Sequence, residues 1–165
     1  MADAAGALLL SGYRLFGNVM RPVVPAILRR RAAAGKEDPG RAGERYGIAS
    51  VPRPAGKLVW VHAASVGETN AVMPLIHRMT QAGYPVLLTT TTVTSAAIAA
   101  TALPDGALHQ FGPLDIGTYL DRFLAHWRPH LAVFVESEIW PGSIAALSAR
   151  GIPLTIVNGR MSDRS

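Results

Sequence analysis

The chain has 165 residues, 49% of them hydrophobic, a mean hydropathy of +0.22 and a formal net charge of +5. That length carries one domain with a sizeable core, and the hydropathy implies apolar surface that meets a membrane or another domain. The absence of cysteine excludes a disulfide framework and a thiolate metal site, and fits a reducing compartment.

Residues 1–57 hold ten Lys/Arg against four Asp/Glu and residues 58–165 six against seven, so the basic character belongs to the N-terminal part. In residues 1–34, apolar stretches at 4–10 and 19–28 alternate with Arg14, Arg21 and the arginines at 29–31. That mixture suits an anionic lipid surface better than nucleic acid. Arg14 would cost about 2.5–3.5 kcal/mol near a bilayer centre, and Pro22 and Pro25 interrupt a long helix. The segment is therefore expected to be an apolar, amphipathic helix lying in the interface rather than spanning it, with packing of residues 5–28 on their own domain as the alternative. Asp3 in place of a basic leader argues against a signal peptide, which keeps the basic cluster cytoplasmic. Residues 35–57, rich in Gly, Pro and charge, read as a connector.

From residue 58 strands and helices alternate. Strands are expected at 58–62, 86–91, 108–111, 131–136 and 153–157, and helices at 69–81, 94–102, 115–127 and 142–150, with Gly83, Pro104 and Gly151 as stops. Leu120, Phe123, Leu124 and Trp127 recur at helical spacing and mark a core stripe. The order is that of an α/β fold with a Rossmann-like parallel sheet over residues 58–165.

Chemistry concentrates where strands end, because loops leaving the carboxyl edge of such a sheet line its ligand crevice. Residues 62–70 read His-Ala-Ala-Ser-Val-Gly-Glu-Thr-Asn, placing Glu68 on a glycine turn between a strand and a helix. Two readings of Glu68 stand open: a functional carboxylate, or an acid favouring the positive end of a helix. The strand at 131–136 likewise ends in Glu136-Ser-Glu138-Ile-Trp-Pro141, and acids on two strands at one sheet edge converge on one crevice. Ser65 and Gly67 expose backbone N–H groups suited to an anion, but the loop is neither G-x-G-x-x-G nor a P-loop, so neither NAD nor ATP follows. The four threonines at 89–92 are either ligand hydroxyls or ordinary strand and cap residues. His62 either orients Glu68 or is a satisfied strand-end histidine. No metal is implied by the histidine spacing or by the Glu136/Glu138 pair. Arg160 is a candidate phosphate contact.

Residues 62–70, the Glu-Ser-Glu-Ile-Trp-Pro at 136–141 and the Asn-Gly-Arg-Met-Ser-Asp-Arg-Ser at 158–165 together resemble the successive signatures of the bacterial 3-deoxy-D-manno-octulosonic acid (Kdo) transferases. The resemblance implies the N-terminal, acceptor-side half of a two-domain, GT-B-type inverting glycosyltransferase on the cytoplasmic face of the inner membrane. It would move Kdo from CMP-Kdo to the lipid A precursor, lipid IVA, without a cofactor. It assigns Glu68 as general base and Glu136 as transition-state stabiliser, with Ser65, Gly67, Thr69, Glu138 and Arg160 as substrate-binding residues. It also implies a nucleotide-binding C-terminal domain outside this sequence, without which the chain is expected to lack turnover. Two rival readings remain: a membrane-surface binding module with a degenerate Rossmann core, and a GT-B transferase using another sugar nucleotide.

Overall fold

The computed structural model describes residues 4–135 and 140–157. Its centre is a five-stranded, wholly parallel sheet in the order β3-β2-β1-β4-β5, formed by β1 (Val59–His62), β2 (Val86–Thr90), β3 (Ala107–Phe111), β4 (Leu131–Val135) and β5 (Leu154–Val157). Residues alternate between faces along each strand. Trp60, Leu87, Ala132 and Phe134 accordingly pack with Leu120, Phe123, Leu124 and Trp127 of α6 (Gly117–Trp127) and Leu147 of α7 (Pro141–Ser148). Val59, Val61, Leu88 and Val133 pack on the other face with Val72 and Ile76 of α4 (Val66–Gln81) and Ala99 of α5 (Val93–Ala102). Both faces are covered, which is why the central strands read as continuous apolar runs.

The chain builds β1, β2 and β3 outward and then crosses back to lay β4 beside β1, with Val59 opposite Leu131 and His62 opposite Phe134. The direction of winding therefore reverses between β1 and β4, and the crevice of an open sheet forms at such a reversal.

The N-terminal segment forms α1 (Ala4–Met20) and α2 (Val24–Ala33). Part of it belongs to the core, since Val24 and Leu28 are buried against Ile116 and Tyr119. Leu8, Leu15, Phe16, Val19, Val23 and Ile27 remain exposed.

The stretch at 35–57 is docked on the sheet rather than a free connector. It contains a 3-10 turn (Pro39–Arg41) and the short helix α3 (Ala42–Arg45), which close the open side of edge strand β3. There the Phe111 N–H donates to Glu44 at 2.6 Å and the Arg41 guanidinium donates to the His109 carbonyl at 3.2 Å. A buried strand edge leaves no backbone group unpaired, and these two side chains serve as its missing neighbour. Gly47, at φ +75°, lies so close to α6 that a Cβ there would sit 2.0 Å from the Tyr119 carbonyl oxygen.

Two helix starts differ from the sequence reading by more than one residue. α4 begins at Val66 instead of 69, because Ser65 with Glu68 forms an S-x-x-E capping box. α6 begins at Gly117 because Asp115 is engaged elsewhere, as described below.

Candidate functional site

The loop after β1 carries the densest set of candidate residues. Ser65 is the N-cap of α4, in an extended backbone conformation, and its Oγ accepts from the Glu68 N–H at 3.3 Å while donating to Glu68 Oε1 at 2.9 Å. The other carboxylate oxygen, Oε2, accepts the Ala64 N–H at 2.7 Å. Glu68 is thus buried and tethered through both oxygens. Each oxygen keeps a second lone-pair direction, so the group can still accept a proton. Gly67 is exposed, and a side chain there would meet nothing nearer than Ser65 Oγ at 4.0 Å.

Thr69 is fully buried, and its hydroxyl donates to the Ser65 carbonyl at 2.8 Å, so the side chain fastens the first turn of α4. The threonine run is also spoken for. Thr89 Oγ accepts from Trp60 Nε1 and pairs with His62 Nδ1, each at 2.8 Å. Thr90 pairs with His109, Thr91 donates to the Ala64 carbonyl, and Thr92 caps α5. Their role is to hold loops in place.

Beside Ala64 a cavity of about 480 Å3 opens at the carboxyl edge of the sheet. Its walls are largely apolar, with Leu28 and Ile27 of α2 facing Trp60, Phe134 and Trp140. His62, Arg45, Arg31, Glu37 and Asp115 supply the polar part. An apolar concavity with a few fixed polar groups is the usual form of a small-molecule site. His62 is buried, and its burial, reinforced by the Arg45 cation, lowers its pKa from 6.5 to about 4, so the imidazole is neutral. Its Nδ1 pairs with Thr89, which gives His62 a support at the strand end.

Arg45 is the pivot of the polar wall. Nε donates to Glu37 at 2.9 Å, and the terminal nitrogens donate to the Gly112 carbonyl at 3.2 Å and the Thr91 carbonyl at 2.5 Å. Glu37 also takes Arg31 of α2 at 2.9 Å. A buried charge without a partner is expensive, and this Arg–Glu–Arg chain compensates Arg45 while joining α2 to the ends of β2 and β3. Asp115 plays the matching part on the opposite wall. It accepts from the Gly142 and Ser143 N–H groups at 2.8 and 2.7 Å, from Ser143 Oγ at 2.7 Å, and from the Tyr13 hydroxyl at 2.7 Å. It thereby caps α7 and fastens α1 to it. Burial, reinforced by the hydrogen bond to the Asp115 carboxylate and by its charge, pushes the Tyr13 hydroxyl well above its ordinary pKa of 10.0.

The structure brings Ser65, Gly67 and Glu68 together; Glu136, Glu138 and Arg160 lie outside the described residues. Among the described residues no group of three or more His, Cys, Asp or Glu side chains is arranged to hold a metal ion. Sequence reasoning missed Arg45, Glu37 and Asp115, whose partners are set by tertiary contact rather than by local pattern.

Comparison with known proteins decides what this crevice belongs to. The sequence model of the 3-deoxy-D-manno-octulosonic-acid transferases matches residues 40–165. The chain belongs to the Kdo transferase family. It is 42% identical over 158 residues to a probable mitochondrial 3-deoxy-D-manno-octulosonic acid transferase of Arabidopsis thaliana, covering 93% of this chain and 35% of that protein. It is 38% identical over 155 residues to the 3-deoxy-D-manno-octulosonic acid transferase of Rickettsia bellii (93% and 37% covered), and 40% identical over 165 residues to that of Bordetella pertussis (93% and 39% covered). The chain therefore spans little more than a third of the length of these relatives. The matched region takes in the capping box, Glu68 and the docked stretch from Gly40 onward.

Proposed function

We propose that this chain supplies the acceptor side of an inverting Kdo transferase that moves Kdo from CMP-Kdo to the lipid A precursor, lipid IVA. The observation that carries the reading is Glu68: a buried carboxylate, tethered through both oxygens, in the loop that leaves β1 at the carboxyl edge of the sheet where the winding reverses, and bonded to the backbone of Ala64, which lines the cavity. In the transfer the acceptor hydroxyl attacks the anomeric carbon of Kdo. Its O–H bond breaks and the proton passes to Glu68, while the bond between that carbon and the CMP phosphate oxygen breaks with its electron pair on CMP. A positioned base of this kind contributes roughly 10² to 10⁴-fold in rate.

Glu136 is assigned to stabilise the positive charge that develops on the sugar, as a carboxylate does beside an oxocarbenium-like centre. The backbone N–H groups at Ser65 and Gly67 and the Arg160 guanidinium are assigned to anionic groups of the substrate, and Glu138 is assigned to the substrate as well. The nucleotide end of CMP-Kdo is assigned to a second, C-terminal domain of a GT-B arrangement, and no step is assigned to a metal or an organic cofactor. The protein is placed on the cytoplasmic face of the bacterial inner membrane. The exposed apolar residues of α1 and the exposed Arg14, Arg21 and arginines 29–31 support an anionic lipid surface as partner. Among the described residues no helix is long and apolar enough to cross a membrane, and the proposed contact is interfacial.

Glu68→Gln in the natural full-length protein tests the assignment. The amide keeps an acceptor for the Ala64 N–H and fills the same space, so the fold should persist while transfer to a lipid A precursor falls by about 10²-fold or more. Activity within about threefold of the parent would remove Glu68 from the role of base.

A further inference from the structure

We infer that Ser65 is a positioning residue for the Glu68 carboxylate, acting through its hydroxyl on a second function of the capping box; the inference rests on Glu68 being the base. A capping box ordinarily uses the acid at its fourth position to satisfy an orphan N–H and nothing more. Here the box is arranged differently. The carboxylate reaches the Ala64 N–H with Oε2, and the cap residue's own hydroxyl turns its proton onto Oε1.

A single Ser65 Oγ thus does two things at once. Its lone pair takes the Glu68 N–H at 3.3 Å, which starts the helix, and its proton goes to Oε1 at 2.9 Å, which fixes the carboxylate plane. The second matters because the terminal torsion of Glu is broad and nearly free. With only the Ala64 contact, the carboxylate would swing about that one anchor, and a base must hold its accepting lone pair within hydrogen-bond reach of the hydroxyl it deprotonates. With both contacts the plane is set, and the remaining lone pairs keep one direction. When Glu68 takes the acceptor's proton on one oxygen, the Ser65 hydroxyl remains bonded to the carboxyl group, so the tether survives the step. The backbone beneath is itself held: the Ala64 carbonyl takes the Thr91 hydroxyl at 2.6 Å and the Ser65 carbonyl the Thr69 hydroxyl at 2.8 Å.

Three substitutions in the natural full-length protein separate positioning from capping. Ser65→Thr keeps both the acceptor and the donor. Ser65→Ala removes both. Ser65→Gly is tolerated at a helix N-cap far better than alanine but has no hydroxyl proton to give to Oε1. The measurements are kcat and the acceptor KM for Kdo transfer, with the thermal midpoint of each variant. A hydrogen bond to a charged group corresponds to roughly a 10- to 100-fold effect. Ser65→Ala and Ser65→Gly should both lose kcat on that scale with acceptor KM near the parent value, Ser65→Thr should stay within about threefold of the parent, and Ser65→Gly should keep a thermal midpoint near the parent's. Parental kcat in Ser65→Gly would show that the hydroxyl only caps the helix, and a loss confined to KM would show that it touches substrate instead; either overturns the inference. Parental activity in Glu68→Gln would instead remove the base assignment beneath it, so the two failures are told apart.

Discussion

Glu68 takes up the helix-start position that one of the two readings of its sequence expects. An acid in the first turn of a helix is favoured there by about 0.3–1 kcal/mol, and Glu68 does sit in that turn, closing a box with Ser65. The same contacts leave it buried and oriented, so the proposed role as base and the stabilising of the helix draw on one arrangement rather than competing. The histidines behind the site carry a separate consequence. His62 and His109 are both lowered from 6.5 to about 4, first by burial and then by the neighbouring arginines, Arg45 for His62 and Arg41 with Arg45 for His109. A histidine with a depressed folded pKa is protonated more readily in the unfolded chain, so the unfolded state binds more protons between those two values and stability falls as the pH falls. Their contribution is whole above about pH 6.5 and is lost as the pH drops through about 4. The thermal midpoint should therefore decline from pH 7 to pH 4.5, and His62→Gln or His109→Gln should flatten the decline. An unchanged slope in both variants would assign the acid sensitivity to other groups.

At the level of elements, the parts that local periodicity controls were legible and the parts that tertiary contact controls were not. The stripe of Leu120, Phe123, Leu124 and Trp127 announces a buried helix face, and all four residues are buried against the sheet. The apolar runs at 58–61 and 131–135 likewise announce strands covered on both sides. Arg45 and Asp115 gave no such signal. Arg45 bonds a carbonyl 46 residues away and Asp115 caps a helix through an N–H 27 residues on, distances over which spacing carries no information. The same blindness made residues 35–57 look like a connector: Gly, Pro and charge are what a linker contains, and also what a stretch needs when it must turn tightly and plug a strand edge. Gly47 tests that docking. Its left-handed backbone and the Tyr119 carbonyl, into which an added Cβ would run, leave no room for a methyl group, so Gly47→Ala should destabilise the fold by more than about 2 kcal/mol, seen as a lower urea midpoint. A parental midpoint would mean that the stretch is not seated on α6.

For the whole molecule, the question is how the N-terminal helices divide their duties. α2 is pinned to the domain through Val24, Leu28 and the Arg31–Glu37–Arg45 chain, and α1 through Tyr13 and Asp115. Removing residues 1–34 would therefore strip part of the core along with any membrane contact, and the outcome would be ambiguous. Point changes on the outer face avoid this. Leu15, Phe16 and Val19 are each about 65% exposed, and polar replacement of such residues changes stability by less than about 0.5 kcal/mol. If this face lies in a lipid surface, two terms hold it there, an apolar one that salt leaves intact and an electrostatic one from Arg14, Arg21 and arginines 29–31 that salt screens. Co-sedimentation with vesicles rich in anionic lipid should separate them. The Leu15→Gln/Phe16→Gln/Val19→Gln protein should lose the binding that survives high salt, and Arg14→Gln/Arg21→Gln should lose part of the binding that low salt permits. Sedimentation equal to the parent in both variants, at both salt levels, would place the membrane contact elsewhere and leave the exposed stripe of α1 to a protein neighbour.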